Sequence, residues 1–165
     1  MPSVVQRVLR QNRPLPSLEA EVWLGLMIAA NRVSDPWFRF LKSQDLPHPQ
    51  YNVLRILRGA RPGRLTCGEI GERMIARDPD ITRLLDRLER RGFISRTRDV
   101  TDRRVVRSAI TDAGLAELKR LEGGTTVHVS ERILAGLGKT KLRQLNDLLA
   151  EVIERTTTNP LEQQG

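Results

Sequence analysis

The stretch Ile81-Thr82-Arg83-Leu84-Leu85-Asp86-Arg87-Leu88-Glu89-Arg90-Arg91-Gly92-Phe93-Ile94 decides the fold. Ile81, Leu84, Leu85 and Leu88 recur at helical spacing and define one apolar face, and Gly92 supplies the left-handed residue on which a helix ends. Just upstream, Asp78-Pro79-Asp80 reads as a start signal, with an acidic N-cap, proline at the first helical position and acid in the first turn. The opposite side of this helix carries Arg83, Arg87 and Arg91 at i, i+4 and i+8. Such a like-charge ladder costs an isolated helix about 0.2–0.5 kcal/mol per pair, a cost that a phosphate-lined groove removes.

Outward from this helix, residues 93–98 and 105–110 alternate β-branched or apolar residues with arginines and read as two short strands. The segment 99–104 between them, Asp99-Val100-Thr101-Asp102-Arg103-Arg104, is a charged hairpin tip. Upstream, Thr66 opens a short helix from Cys67 to about Ile75, with Glu69 in its first turn and Ile70 and Met74 four residues apart. Short helix, turn, second helix with an apolar inner face, then an Arg-tipped hairpin is the order of the winged helix-turn-helix. The expected fold is therefore mainly α with a small β-hairpin wing.

The flanks are helical. Residues 1–16 form a basic arm in which Val4, Val5, Val8 and Leu9 line one side of a short helix or a frayed segment. Ser17 is an N-cap for a helix with the stripe Leu18, Val22, Leu26 and Ala29, which Pro36 should kink or restart behind Ser34. Leu46-Pro47-His48-Pro49 closes this N-terminal region, 17–45, and Tyr51, Val53, Leu54, Ile56 and Leu57 mark a helix ending at Gly59. Thr111 caps a helix from Asp112 with Leu115, Leu118 and Leu121 on one face, weakened at Gly123-Gly124. A last helix, about Lys139 to Arg155, carries a broad stripe from Leu142 to Ile153. One domain is expected over 1–165, with the winged helix-turn-helix at 47–111, C-terminal helices at 112–155 and a mobile tail at 156–165.

Composition bounds the partners. The 165 residues carry a formal charge of +8, and of 28 basic residues only Lys42, Lys119, Lys139 and Lys141 are lysines. Arginine's planar fork grips phosphates and the guanine O6/N7 edge bidentately, so a polyanionic partner is expected. The single cysteine, Cys67, with only His48 and His128 beside it, leaves no intrachain disulfide and no zinc ligand set. The arginines of the first 18 residues interrupt any secretory apolar core, and no stretch reaches spanning length. A cytoplasmic protein without membrane contact or cofactor is expected. No Gly-rich phosphate loop, activated nucleophile or metal cluster supports an enzyme.

These residues resemble the multiple-antibiotic-resistance-regulator (MarR) family of bacterial transcription factors. Residues 81–94 look like the family's recognition helix and entry to the wing, and Asp102-Arg103-Arg104-Val105-Val106 with Ile110-Thr111-Asp112-Ala113-Gly114 looks like its Asp-x-Arg wing and following helix. Tyr51-Asn52-Val53-Leu54-Arg55-Ile56-Leu57 resembles the helix preceding the reader. The resemblance covers roughly residues 17–155 in architecture, and it implies a homodimer held by helices from both ends of the chain, a double-stranded DNA target and, for most members, repression. It also implies that Arg104 enters the minor groove with Asp102 orienting it, a role that suits a narrow electronegative groove. Arg98, Arg103 and Arg107 are then phosphate contacts, Thr82 and Arg83 face base edges, and Arg87 and Arg77 meet the backbone. Asp80 either accepts from a cytosine amino group or caps the helix. The departure from the family pattern is at 75–79, where acid and proline replace a small N-cap after a glycine turn.

By the same resemblance, small-molecule effectors bind where dimer helices meet the reader, which makes Trp23, Trp37, Phe40, His48 and Tyr51 candidates. With aromatics at 4% of the chain, each also has a core role to fill. Cys67 reads as a buried structural thiol, since it does not match the position of the family's oxidant-sensing cysteines. The reading from another class is a winged-helix module that binds protein or RNA without regulating a promoter. An arginine ladder and arginine wing on one edge argue against it, because protein-binding surfaces need apolar anchors there.

Overall fold

The computed structural model describes residues 1–76, 78–123 and 127–158. The chain divides into two compact units, Met1–Val127 and His128–Gly165. The first contains α1 (Val4–Leu9), α2 (Leu18–Ser43), α3 (His48–Gly59), β1 (Leu65–Thr66), α4 (Cys67–Glu72), α5 (Ile81–Arg90), β2 (Ile94–Arg98), β3 (Val106–Ile110) and α6 (Asp112–Glu122). The mainly helical fold with a small antiparallel sheet agrees with the expectation.

Capping sets the boundaries. Ser17 accepts from the N–H of Ala20, Thr111 from that of Gly114, and Thr66 and Glu69 form a reciprocal capping box at the start of α4. The basic arm is ordered as α1, which has its own box between Ser3 and Gln6. Pro36 does not restart α2, which runs unbroken from Leu18 to Ser43. Burial of Leu41, with Trp37 and Phe40 packed against the core, holds the turns beyond the proline in place although one backbone donor is lost.

Two helices are shorter than their periodicity suggests. The α4 helix ends at Glu72, ahead of the expected Ile75, and α6 ends at Glu122 with Gly123 as its C-cap, which separates it from α7. Asp78 is not the N-cap of the recognition helix. Its Oδ1 accepts from the N–H of Asp80 at 2.8 Å, closing a local turn, and α5 begins at Ile81.

The core gathers Leu41 from the end of α2, Leu46 from the turn that follows it, Val53, Leu54 and Leu57 from α3, and Ile70 from α4. Leu84, Leu85 and Leu88 of α5 meet Leu118 and Leu121 of α6 in the same cluster. Beside it lies a three-stranded sheet in the order β1-β3-β2, with Ile94 paired to Ile110 and Arg98 to Val106. The two-residue β1, absent from the sequence reading, pairs Leu65 with Ser108 and Thr66 with Arg107. It ties α4 to the root of the wing.

From Val127, the last residue of the first unit, α7 (Val127–Ala135) runs into the second, which also holds α8 (Lys139–Thr158), joined to α7 through Gly138 at φ +76°. Its last helix continues to Thr158, three residues past the expected Arg155. The remainder of the expected tail, 159–165, lies outside the described residues.

Candidate nucleic-acid interface

The recognition helix α5 is fixed from behind by its leucines and from the side by an ion-pair clamp. Arg96 of β2 reaches Asp86 and Glu89 with Nη2 to oxygen distances of 2.6 Å each. Hydrogen bonds to these carboxylates hold the Arg96 guanidinium pKa above its ordinary value. The clamp locks the outward face of α5 to the wing.

That outward face carries Thr82, Arg83 and Arg87, all exposed. The Arg83 side chain is 76% exposed and pairs with Asp80 at 3.2 Å. Asp80 occupies the N-cap position but makes no side-chain cap, so its carboxylate answers the first rung of the arginine ladder. Arg91, the third rung, is withdrawn from the row. It donates to the backbone carbonyl of Asp45, stands 3.8 Å from that residue's carboxylate, and lies 4.6 Å over the Phe93 ring. Protein groups thus relieve two of the three rungs, and among the described residues Arg87 alone of the three has no carboxylate partner. Arg77 lies outside the described residues.

The wing is organised by Asp99, a residue the sequence reading passed over. Asp99 Oδ1 accepts from the backbone N–H of Thr101 at 2.9 Å and from its hydroxyl at 2.6 Å, and Oδ2 accepts from Arg107 Nε. These hydrogen bonds, Thr101 first and Arg107 second, hold the carboxyl far below the ordinary aspartate range. The Asp99-x-Thr101 spacing of an Asx turn was the available signal.

Arg107 is therefore engaged inside the protein, with Glu69 3.6 Å away on its other side, and is not presented as an open phosphate contact. Asp102 meets Arg104 through the backbone: its Oδ1 accepts from the N–H of Arg104 at 2.9 Å, which shapes the chain at the tip, and Arg104 is exposed. Arg98, Arg103 and Arg104 are exposed on the wing hairpin.

Other candidates fall elsewhere. Trp37 stacks on Phe40 and meets Tyr51 edge-on, both at 5.3 Å between centroids, and Tyr51 donates to Glu122 at 3.1 Å. These three close the edge of the core. His48 pairs instead with Phe38 at 4.1 Å, and burial lowers its pKa. Trp23 stands apart on α2 and is 61% exposed. Cys67 is half-buried, not fully buried as expected, with Sγ 3.9 Å from Thr82 Oγ1. Among the described residues no cluster of His, Cys, Asp and Glu could hold a metal ion, and no helix is long and apolar enough to cross a membrane.

The MarR family model matches residues 46–106, from the turn after α2 to the first residue of β3. A MarR transcription factor of known structure from Planctomyces limnophilus is 38% identical, with 83% of this chain and 98% of that one aligned and a TM-score of 0.62. The chain belongs to the MarR family. The HTH-type transcriptional repressor IacR of Pseudomonas putida is 30% identical over 73% of this chain and 70% of its own length. The S. aureus MepR–DNA complex shares the fold at a TM-score of 0.68 and 20% identity, covering 81% of this chain and 96% of MepR. Members of this family are transcription regulators and not enzymes.

Proposed function

We propose that this MarR-family regulator is a cytoplasmic homodimer that binds a pseudo-palindromic DNA operator and represses transcription. The observation that carries the reading is the division of α5. Leu84, Leu85 and Leu88 are buried while Thr82, Arg83 and Arg87 are exposed, with the exposed Arg98, Arg103 and Arg104 of the wing on the adjoining hairpin. A helix that buries one side and offers hydroxyl and guanidinium groups on the other fits a major groove, and a two-stranded wing with an arginine tip fits the neighbouring minor groove.

Two such readers in a dimer would meet half-sites one helical turn, about 34 Å, apart. Exposed apolar faces in both units support the dimer: Leu18, Val22, Trp23 and Met27 on α2, and Leu148, Val152 and Ile153 on α8. Repression follows the naming of IacR, and the absence of a spanning helix among the described residues is consistent with a cytoplasmic site of action.

The deciding experiment is a fluorescence titration of the protein against the DNA upstream of its own gene and a scrambled duplex, at two salt concentrations. A preference of about 10³ or more for the upstream duplex is the expected result for an autoregulating repressor. Equal, strongly salt-dependent binding to both overturns operator-specific autoregulation, and no binding to either overturns the DNA-binding reading.

A further inference from the structure

Behind the DNA-facing surface, where the end of α5 approaches the turn between α2 and α3, an open cleft of about 350 Å³ is lined by Asp45, Gln50, Arg87, Arg90 and Arg91. Three guanidiniums in so small a space ask for an anion, because among the described residues only Arg91 of the three is answered by a carboxylate. Gln50 is 5% exposed, and its Oε1 has no hydrogen-bond partner among the described residues. A buried amide oxygen left unpaired is costly and calls for a donor. Asp45, whose carboxylate is 97% exposed at the rim, is a second acceptor.

The cleft therefore combines a positive wall with acceptors. A bare diester phosphate or sulfate offers the arginines oxygens but has no O–H for Gln50 or Asp45. A phosphomonoester that carries hydroxyls satisfies both sets, and the volume lies within the range of small-molecule sites. We propose that this cleft binds a small hydroxylated phosphomonoester, of the sugar-phosphate class, with Arg87 and Arg90 holding the phosphate and Gln50 Oε1 accepting from a ligand O–H. Arg87 also belongs to the proposed DNA-facing set, so ligand and operator compete for it. This second step rests on the proposed DNA reading; the binding step does not.

The test is calorimetric titration of the full-length protein, without DNA, with glycerol 3-phosphate, inorganic phosphate and sulfate at matched ionic strength. Glycerol 3-phosphate should bind at least about tenfold more tightly than sulfate, the discrimination expected when a buried acceptor loses its donor. Arg90→Gln should weaken all three anions, while Gln50→Leu should abolish the preference over sulfate and leave sulfate binding in place. Arg90 is exposed, so its variant tests the site even if Gln50→Leu fails to fold. Equal weak binding of the three anions, unchanged in Arg90→Gln, overturns the proposal and identifies the cleft as general positive charge. Preferential binding of sulfate overturns the role of Gln50. A repeat of the DNA titration with glycerol 3-phosphate present then reads competition separately, so failure there leaves the binding result standing.

Discussion

At the scale of single residues, the arginines of this protein differ in what they are free to do. Arg104 is exposed at the wing tip and, among the described residues, is tied by its backbone alone, through Asp102, whereas Arg107 is spent on Asp99 and Glu69. Arg104→Ala should therefore weaken binding to operator and scrambled duplexes alike and lower the salt slope by about 1, measured by anisotropy titration at several salt concentrations. Arg83 faces outward from the recognition helix, so Arg83→Ala should cost about 1–3 kcal/mol on the operator and relax its sequence preference. Equal losses on both duplexes for both variants would refute this division of labour. Gly114 is constrained by space alone, because a Cβ there would stand 2.3 Å from the carbonyl oxygen of Phe93 and 2.8 Å from Ile110 Cγ1. Since one neighbour is backbone, Gly114→Ala should destabilise by about 1–3 kcal/mol, seen as a lower midpoint in thermal or urea unfolding.

At the scale of elements, the wing depends on a few polar contacts more than on burial. Asp99 receives the Thr101 and Arg107 donors at the wing, outside the hydrophobic core, so Asp99→Asn should speed amide exchange at 99–105 and reduce operator affinity while global unfolding changes little. The α3 and α6 helices are joined differently, by a bidentate pair in which Arg58 donates to Glu122 at 2.7 and 3.0 Å while Tyr51 donates to the same carboxylate. Arg58, desolvation and Tyr51 act in that order on Glu122, and the net effect lowers its pKa. A lowered folded-state value means that this stabilisation is complete above the ordinary glutamate range and is lost as pH falls through the shifted value. Glu122→Gln should remove that component of the acid-side loss of stability, measured by urea unfolding between about pH 3 and 7; for a partly exposed pair its effect at neutral pH should be about 1 kcal/mol or less. Elements with long apolar periods were legible in the sequence, as the stripes of α3, α5 and α6 were. Those decided by one or two polar contacts were not: β1 is two residues long, and Asp78 closes a turn with Asp80 where the local pattern read as a helix cap. The recognition helix and wing were legible as a site because their arginines alternate with core residues, but which arginines are already paired depends on Asp45, Asp99 and Glu69, all brought in by tertiary structure.

At the scale of the whole molecule, the second unit poses the sharpest physical demand. Among its described side chains none is buried, and Leu148 and Ile153 of α8 are 61% and 63% exposed. Two helices with so much apolar surface in water cannot account for their own order, since a helix in a protein is held mainly by packing of its apolar face. The proposed dimer supplies the missing burial and links folding to association. Light scattering at micromolar concentration should then give twice the 18.8 kDa chain mass, and the unfolding midpoint should rise with protein concentration. Leu148→Glu and Trp23→Glu place a charge on an exposed apolar face of each unit and should shift the mass toward the monomer. With only one reader per particle, operator affinity should fall toward that for scrambled DNA, since the gain from linking two half-site contacts is lost. A wild-type monomer whose midpoint is independent of concentration would refute the dimer. Monomeric variants with unchanged operator affinity would instead separate dimerisation from DNA recognition, and would leave each reader to act alone.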